Sequence, residues 1–371
     1  MKQRLIKAAS CSFTCLMLIM QPVASPLAET ITIGKGTGIL WEGLPFNATL
    51  SGPLDNSTFI ERYALLAISE NSGVCMAASK LQNIGGYMAY PISGLSGVGL
   101  IPRATGTASY VRDAGGSTPD ETLSGTFGLP ETKGFSSYKG GSVLSVSGYA
   151  WCLSVTSGYL ASFYLSSGPR TATLSGSWVL VADGTQQTGQ GTLAPIYFGS
   201  FSNARSGDKY ATILPSNINL RVSTLECSVS TPTSINFGYV SRDTAAGAEL
   251  ALMPVQLTAT CGQDSDRINA NINLQFRAIS GLYNNEPSRL ALNQGGGYIT
   301  GEIDGGVTGS GNCRATTGLK FDNTAIKLGS ITSAESSKTL ANQVTWRLCS
   351  GGSSLPAGAV TASTEMLVTF N

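Results

Sequence analysis

Residues 268 to 276 run Ile-Asn-Ala-Asn-Ile-Asn-Leu-Gln-Phe, with an apolar side chain at every even position and an amide at every odd one. A period of two sorts side chains onto opposite faces of a strand and cannot be satisfied by a helix, whose period is 3.6. The expectation is one buried face and one wet face. Strands of this kind bury their apolar side when two sheets pack face to face, which is a sandwich. Segments 31–33, 63–68, 143–155, 173–182 and 218–222 are alternating or nearly continuous in apolar residues. Clusters of Gly, Ser, Asn and Pro separate them. No run of helical period competes. With 12% charged residues and 45 glycines in 371 positions, the chain is expected to be all-β, strands joined by small-residue turns.

Lys2, Arg4 and Lys7 precede an apolar run from about Ala8 to Met20, and a stretch containing Pro and Ala follows to Ala28. This is the pattern of a secretory signal peptide, assigned to 1–28. Its apolar run is too short for a permanent membrane anchor. Without it, 20 basic residues stand against 22 acidic ones, a balance that attracts no nucleic acid. Cys75, Cys152, Cys227, Cys261, Cys313 and Cys349 remain, an even set in an exported chain, and imply disulfides. Six cysteines admit 15 pairings; sequential pairing is the expectation. About 340 residues exceed what one core usually serves. Pro215, Ser216 and Asn217 interrupt the apolar pattern. The division expected is therefore 29–214, a linker at 215–226, and 227–371.

The segment Cys227-Ser-Val-Ser-Thr-Pro-Thr-Ser-Ile-Asn-Phe-Gly-Tyr-Val240, followed by 252–260 and Cys261, resembles the start of subunits assembled by the bacterial chaperone–usher pathway. The C-terminus resembles that family more specifically. Gly358 is the fourteenth residue from the end and Phe370 the penultimate one. Between them Val360, Ala362, Thr364, Met366, Val368 and Phe370 alternate with Thr361, Ser363, Glu365, Leu367 and Thr369. The resemblance covers about 220–371 and implies an incomplete immunoglobulin-like pilin domain lacking its last strand, with Cys227 and Cys261 stapling its first two strands. It further implies a strand lent by a periplasmic pilus chaperone, assembly at an outer-membrane usher, and replacement of the lent strand by one from an adjacent pilin subunit. Such strand addition at a sheet edge is a recurrent mode of recognition. Upstream only the layout is shared: about 190 residues stand where a pilin has a short donor extension. The chain in this respect resembles the two-domain tip adhesins, whose N-terminal domain is a lectin-like β-sandwich. The implied function is attachment at the fimbrial tip, on the bacterial surface, to a host glycan or protein receptor, glycans being the expected class. The alternative is a minor structural or initiator subunit that caps the fibre.

The chain contains no histidine, which disfavours Ser-His-Asp triads and removes Cys-His pairs and His-ligated zinc. Neither a Gly-x-Ser-x-Gly elbow nor a phosphate-cradling Gly-rich loop occurs. Asp120, Glu121 and Glu131 lie close enough in sequence to suggest a glycosidase pair, but read better as a solvated acidic loop. Asp304 lacks the spaced acidic partners of a calcium loop. No enzymatic activity, cofactor or metal is expected. Three stretches offer an aromatic ring beside directed polar groups, the combination that recognises a sugar. They supply Tyr110, Arg112 and Asp113; Tyr138 and Lys139; and Asn203 and Arg205. Trp151 and Trp178 read as core.

Overall fold

The computed structural model describes residues 29–54, 63–155, 163–202 and 207–371; the expected signal peptide lies outside them. Among the described residues there is no α-helix, only strands and two 3-10 turns, so the chain is all-β.

Four long antiparallel strands dominate the N-terminal half, in the order Asp120–Gly128, Val98–Val111, Pro169–Asp183, Thr37–Pro53. Lys133–Ser136 and Gly141–Leu144 extend this sheet beyond Asp120–Gly128. Alternation fixes which way each strand faces. Leu50, Ala108, Leu123, Ala172 and Leu174 point inward and are buried in one large core. Turn chemistry closes the smaller hairpin 82–84/87–91: Gly85 and Gly86 have φ of +59° and +90°, as a two-residue hairpin turn demands. Segment 143–155 is a series of short pieces, 141–144, 149–150 and 152–153, rather than one strand. Trp151 and Trp178 are core. Cys75 is bonded to Cys152, Cys227 to Cys261 and Cys313 to Cys349, the sequential pattern.

In the C-terminal half, Glu226–Ser230, Glu249–Gly262, Ser337–Ser350, Gly297–Ile303 and Leu290–Ala291 form a five-stranded sheet. Cys227 faces Cys261 across its first pair. A second sheet crosses the whole molecule, in the order Gly189–Thr192, Ile218–Val222, Glu29–Ile33, Thr364–Phe370, Ala270–Ala278, Ile326–Ile331. Residues 218–222, inside the segment expected as a linker, are a strand parallel to 29–33. Ile218, Leu220 and Val222 belong to the N-terminal core, while the next apolar cluster begins at Leu225.

Strand 270–278 differs from its expected half-wet form. Asn273 and Gln275 are buried because the N-terminal half covers their face. Gln275 Nε2 donates to the Glu42 carbonyl at 3.1 Å and to the Asn323 carbonyl at 2.8 Å. Beside them the Glu42 carboxylate, also buried, is paired with Arg103. It accepts hydrogen bonds from Ser177 Oγ at 2.5 Å and Asn323 Nδ2 at 3.1 Å. Arg103 also reaches Glu365 at 3.3 Å, and Arg277 holds the same carboxylate at 2.8 Å. The halves thus meet through hydrogen-bonded and ion-paired polar groups, as buried polar surface favours, with Gln275 Oε1 alone of these groups left without a partner.

Candidate functional site

Strand Thr364–Phe370 pairs with Ala270–Ala278 from Thr364 opposite Ala278 to Phe370 opposite Ile272. Asn271 donates its N–H to the Asn371 carbonyl at 2.8 Å, and Ile279 donates to Ser363 at 2.9 Å. Odd-numbered residues therefore turn their backbone groups toward that neighbour, and even-numbered ones turn theirs the other way. On that second side a strand is met at Phe370, which is opposite Thr32 of strand 29–33. Among the described residues, no strand pairs with the edge from Val360 to Val368.

A groove of about 590 Å³ runs beside this edge. One bank is 231–237, which belongs to no ladder. The other is 360–366, and Leu257, Phe276, Leu292, Val344, Trp346 and Leu348 lie between them. The predicted alternation holds on this bank: Val360, Ala362, Met366 and Val368 pack against the C-terminal core. The groove itself is lined by Val360, Ala362, Thr364 and Met366 and also by the odd-numbered Thr361 and Ser363. Gly358 sits before it with φ +99°, a left-handed conformation that favours glycine. Phe370 lies apart from the groove, packed with Leu225, Ile272 and Ile331. The bank at 231–237 escaped sequence reasoning, because a segment outside any ladder has no periodicity to read.

In the N-terminal half the structure brings two of the three predicted stretches together. The Arg112 guanidinium lies 4.9 Å from the centre of the Tyr138 ring. Its Nε donates to Glu121 Oε1 at 3.2 Å. Ser137 Oγ donates to the other oxygen of Glu121 at 2.5 Å, so the largely buried Glu121 carboxylate orients both stretches. Tyr138 stands edge-on to Phe163 with centroids 4.9 Å apart and keeps part of its ring at the surface. Asp113 Oδ1 accepts the Gly115 N–H at 3.0 Å, shaping the turn. Lys139 is exposed. Tyr110, expected on an exposed loop, is instead inside strand 98–111 and buried. Burial first, then the neighbouring Tyr164 and Glu121, push its hydroxyl far above the usual tyrosine range. Asn203 and Arg205 lie outside the described residues. Glu121, read from sequence as part of a solvated loop, is the residue that organises the cluster.

No protein-family model matches this chain, and no curated protein matches it. Solved structures similar to it include a chaperone–tip adhesin complex of CFA/I fimbriae, at 12% identity over 93% of this chain and 96% of that chain, TM-score 0.26. The CupB6 tip adhesin from Pseudomonas aeruginosa is similar at 14% identity over 90% and 87%, TM-score 0.29. The CsuC–CsuE chaperone–tip adhesion subunit complex of Acinetobacter baumannii is similar at 11% over 92% and 98%, TM-score 0.23.

Proposed function

We propose that the chain is a fimbrial tip adhesin. Its C-terminal unit, beginning near Leu225, is an incomplete immunoglobulin-like domain completed by a strand added along the 360–368 edge. A periplasmic chaperone supplies that strand first; an adjacent pilin subunit supplies it after passage through the outer-membrane usher. The observation that carries this reading is the open edge lying beside an apolar groove. Unpaired N–H and C=O groups along one margin and apolar side chains below them are what an incoming strand satisfies together. The N-terminal unit, 29–222, recognises a host receptor, a glycan in preference to a protein, through the Arg112–Tyr138 cluster. That cluster joins a half-exposed ring to a guanidinium held in place, the two residue types that concentrate binding energy.

Co-production of the full chain with a fimbrial chaperone tests the assembly half. Ala362→Trp fills the groove and is expected to abolish co-purification. Ile279→Trp, at a half-exposed position not among the groove's lining residues, is expected to leave it intact. Capture of the Ala362→Trp chain refutes the groove as acceptor. For the receptor half, a glycan array probed with the captured full chain is expected to give a saturable signal lost in Arg112→Ala. A captured chain that binds neither glycans nor host cells supports a capping subunit instead.

A further inference from the structure

The outward face of the long N-terminal sheet has a composition that neither the groove nor the Arg112–Tyr138 cluster uses. Strand register aligns three rows across strands 37–53, 169–183, 98–111 and 120–128. The first is Asn47, Ser175, Thr105 and Thr126. The second is Thr49, Thr173, Thr107 and Ser124, and the third Ser51, Thr171, Ser109 and Thr122. All twelve positions are partly or fully exposed, and none is charged or larger than Asn. Protein surfaces ordinarily carry charge at about 25–35% of positions. The residues between them point inward and are largely buried, including Ala108, Leu123, Ala172 and Leu174, so the strands carrying the rows are pinned by the core.

We infer that this face is a second binding surface, for a linear neutral polysaccharide laid across the strands. Hydroxyls both donate and accept, and they recur about every 4.8 Å across the strands and about every 6.7 Å along them. Each such contact is weak alone, so the face suits a ligand that repeats rather than a single sugar. The twelve carry no charge, and Lys133, onto which the first row continues, is paired with Glu131, so the rows select against anionic polymers and nucleic acid, which need Lys or Arg. A protein partner is disfavoured because interfaces centre on apolar and aromatic side chains, which the rows lack. The middle row continues onto Phe135, paired with Ser124 and half exposed. Its ring offers the C–H face of a sugar a place to stack where the hydroxyls end. Thr107 Oγ1 and Thr173 Oγ1 lie 2.8 Å apart, which orients neighbouring hydroxyls as a set. The inference rests on the carbohydrate reading of the N-terminal unit but places binding on another face.

The test is depletion of the full exported chain by microcrystalline cellulose and by chitin, with anionic alginate gel for comparison, and a glycan array read in parallel. A saturable isotherm on at least one neutral polymer and none on alginate is expected. Thr49→Val/Thr107→Val/Thr173→Val keeps β-branching and removes three of the four hydroxyls of the middle row; it is expected to weaken binding by about 10-fold or more. Should that variant lose its thermal transition, Ser175→Asp, which sets a charge in an exposed row, is expected to show the same loss. Undiminished binding by a folded variant overturns the inference. An array signal without polymer depletion overturns it and leaves the Arg112–Tyr138 cluster standing; absence of both overturns the carbohydrate reading as a whole.

Discussion

Replacing Arg103 by Met takes away the cation that faces Glu42 and leaves its carboxylate between two sheets. Both members of the pair are substantially buried, with side chains 15% and 4% exposed. Removing one partner of a buried pair costs roughly 3–5 kcal/mol, because the remaining charge is left without compensation. Two effects bring the figure to the lower end of that range or somewhat below it. Ser177 and Asn323 still donate to Glu42, and Glu365, the second acceptor for Arg103, keeps Arg277 at 2.8 Å. The expected loss is therefore about 2–3 kcal/mol, which for a unit of this size lowers Tm by about 5–10 °C. Differential scanning calorimetry of the full chain measures it. Replacing both members, Glu42→Leu with Arg103→Met, removes the stranded charge and is expected to recover about half of the loss, since an apolar substitute for a buried pair is often near neutral. A double variant as unstable as the sum of the two singles would show no coupling and would refute the account of the joint as a charge held by its partners.

Two further outcomes follow from local structure. The Cys227–Cys261 bond closes a separation of 34 residues, so replacing both by Ser is expected to cost about 4 kcal/mol by chain entropy; an unchanged urea midpoint would contradict it. Glu335 is held well below its ordinary 4.5, at about 2, first by the hydrogen bond from Lys338 and then by those from Thr332. Its contribution to stability is thus present in full above pH 4.5 and fades as pH falls toward 2. Glu335→Gln should flatten the stability profile in that window, and a profile identical to wild type in acid titration would count against it.

The period of two at 268–276 was legible, and so was the alternating bank 360–366, because both signals are local. What covers them was not. Asn273 and Gln275 look like solvent-facing amides until Glu42, more than 200 positions earlier, is seen to arrive on that face. Tyr110 resembled a loop aromatic because Arg112 and Asp113 follow it, yet strand 98–111 carries the ring into the core before the chain turns out. The hydroxyl rows escaped for the same reason. Thr-x-Thr within one strand reads as an ordinary wet face; only pairing between strands far apart in the chain brings four such faces into register. Local periodicity tells which residues share a face, and non-local pairing decides what that face meets.

The edge proposed to accept a strand ends where the N-terminal unit begins. Even-numbered residues from Val360 to Val368 offer their backbone groups outward, but the next rung, Phe370, is already taken by Thr32. A donated strand can therefore follow the edge for about nine residues, roughly 30 Å, before meeting strand 29–33. That obstacle is firmly held, because the same strand lies parallel to 218–222 over five residue pairs and buries Ile31 and Ile33 in the N-terminal core. Pairing a donor with Phe370 would gain one rung of backbone bonding while pulling apart a contact anchored by two buried isoleucines. Burial of each such side chain stabilises by about 1.5–3 kcal/mol, against about 0.5–1.5 for a hydrogen bond. The donor should stop short, and strand 29–33 thereby sets the length of strand the groove can accept.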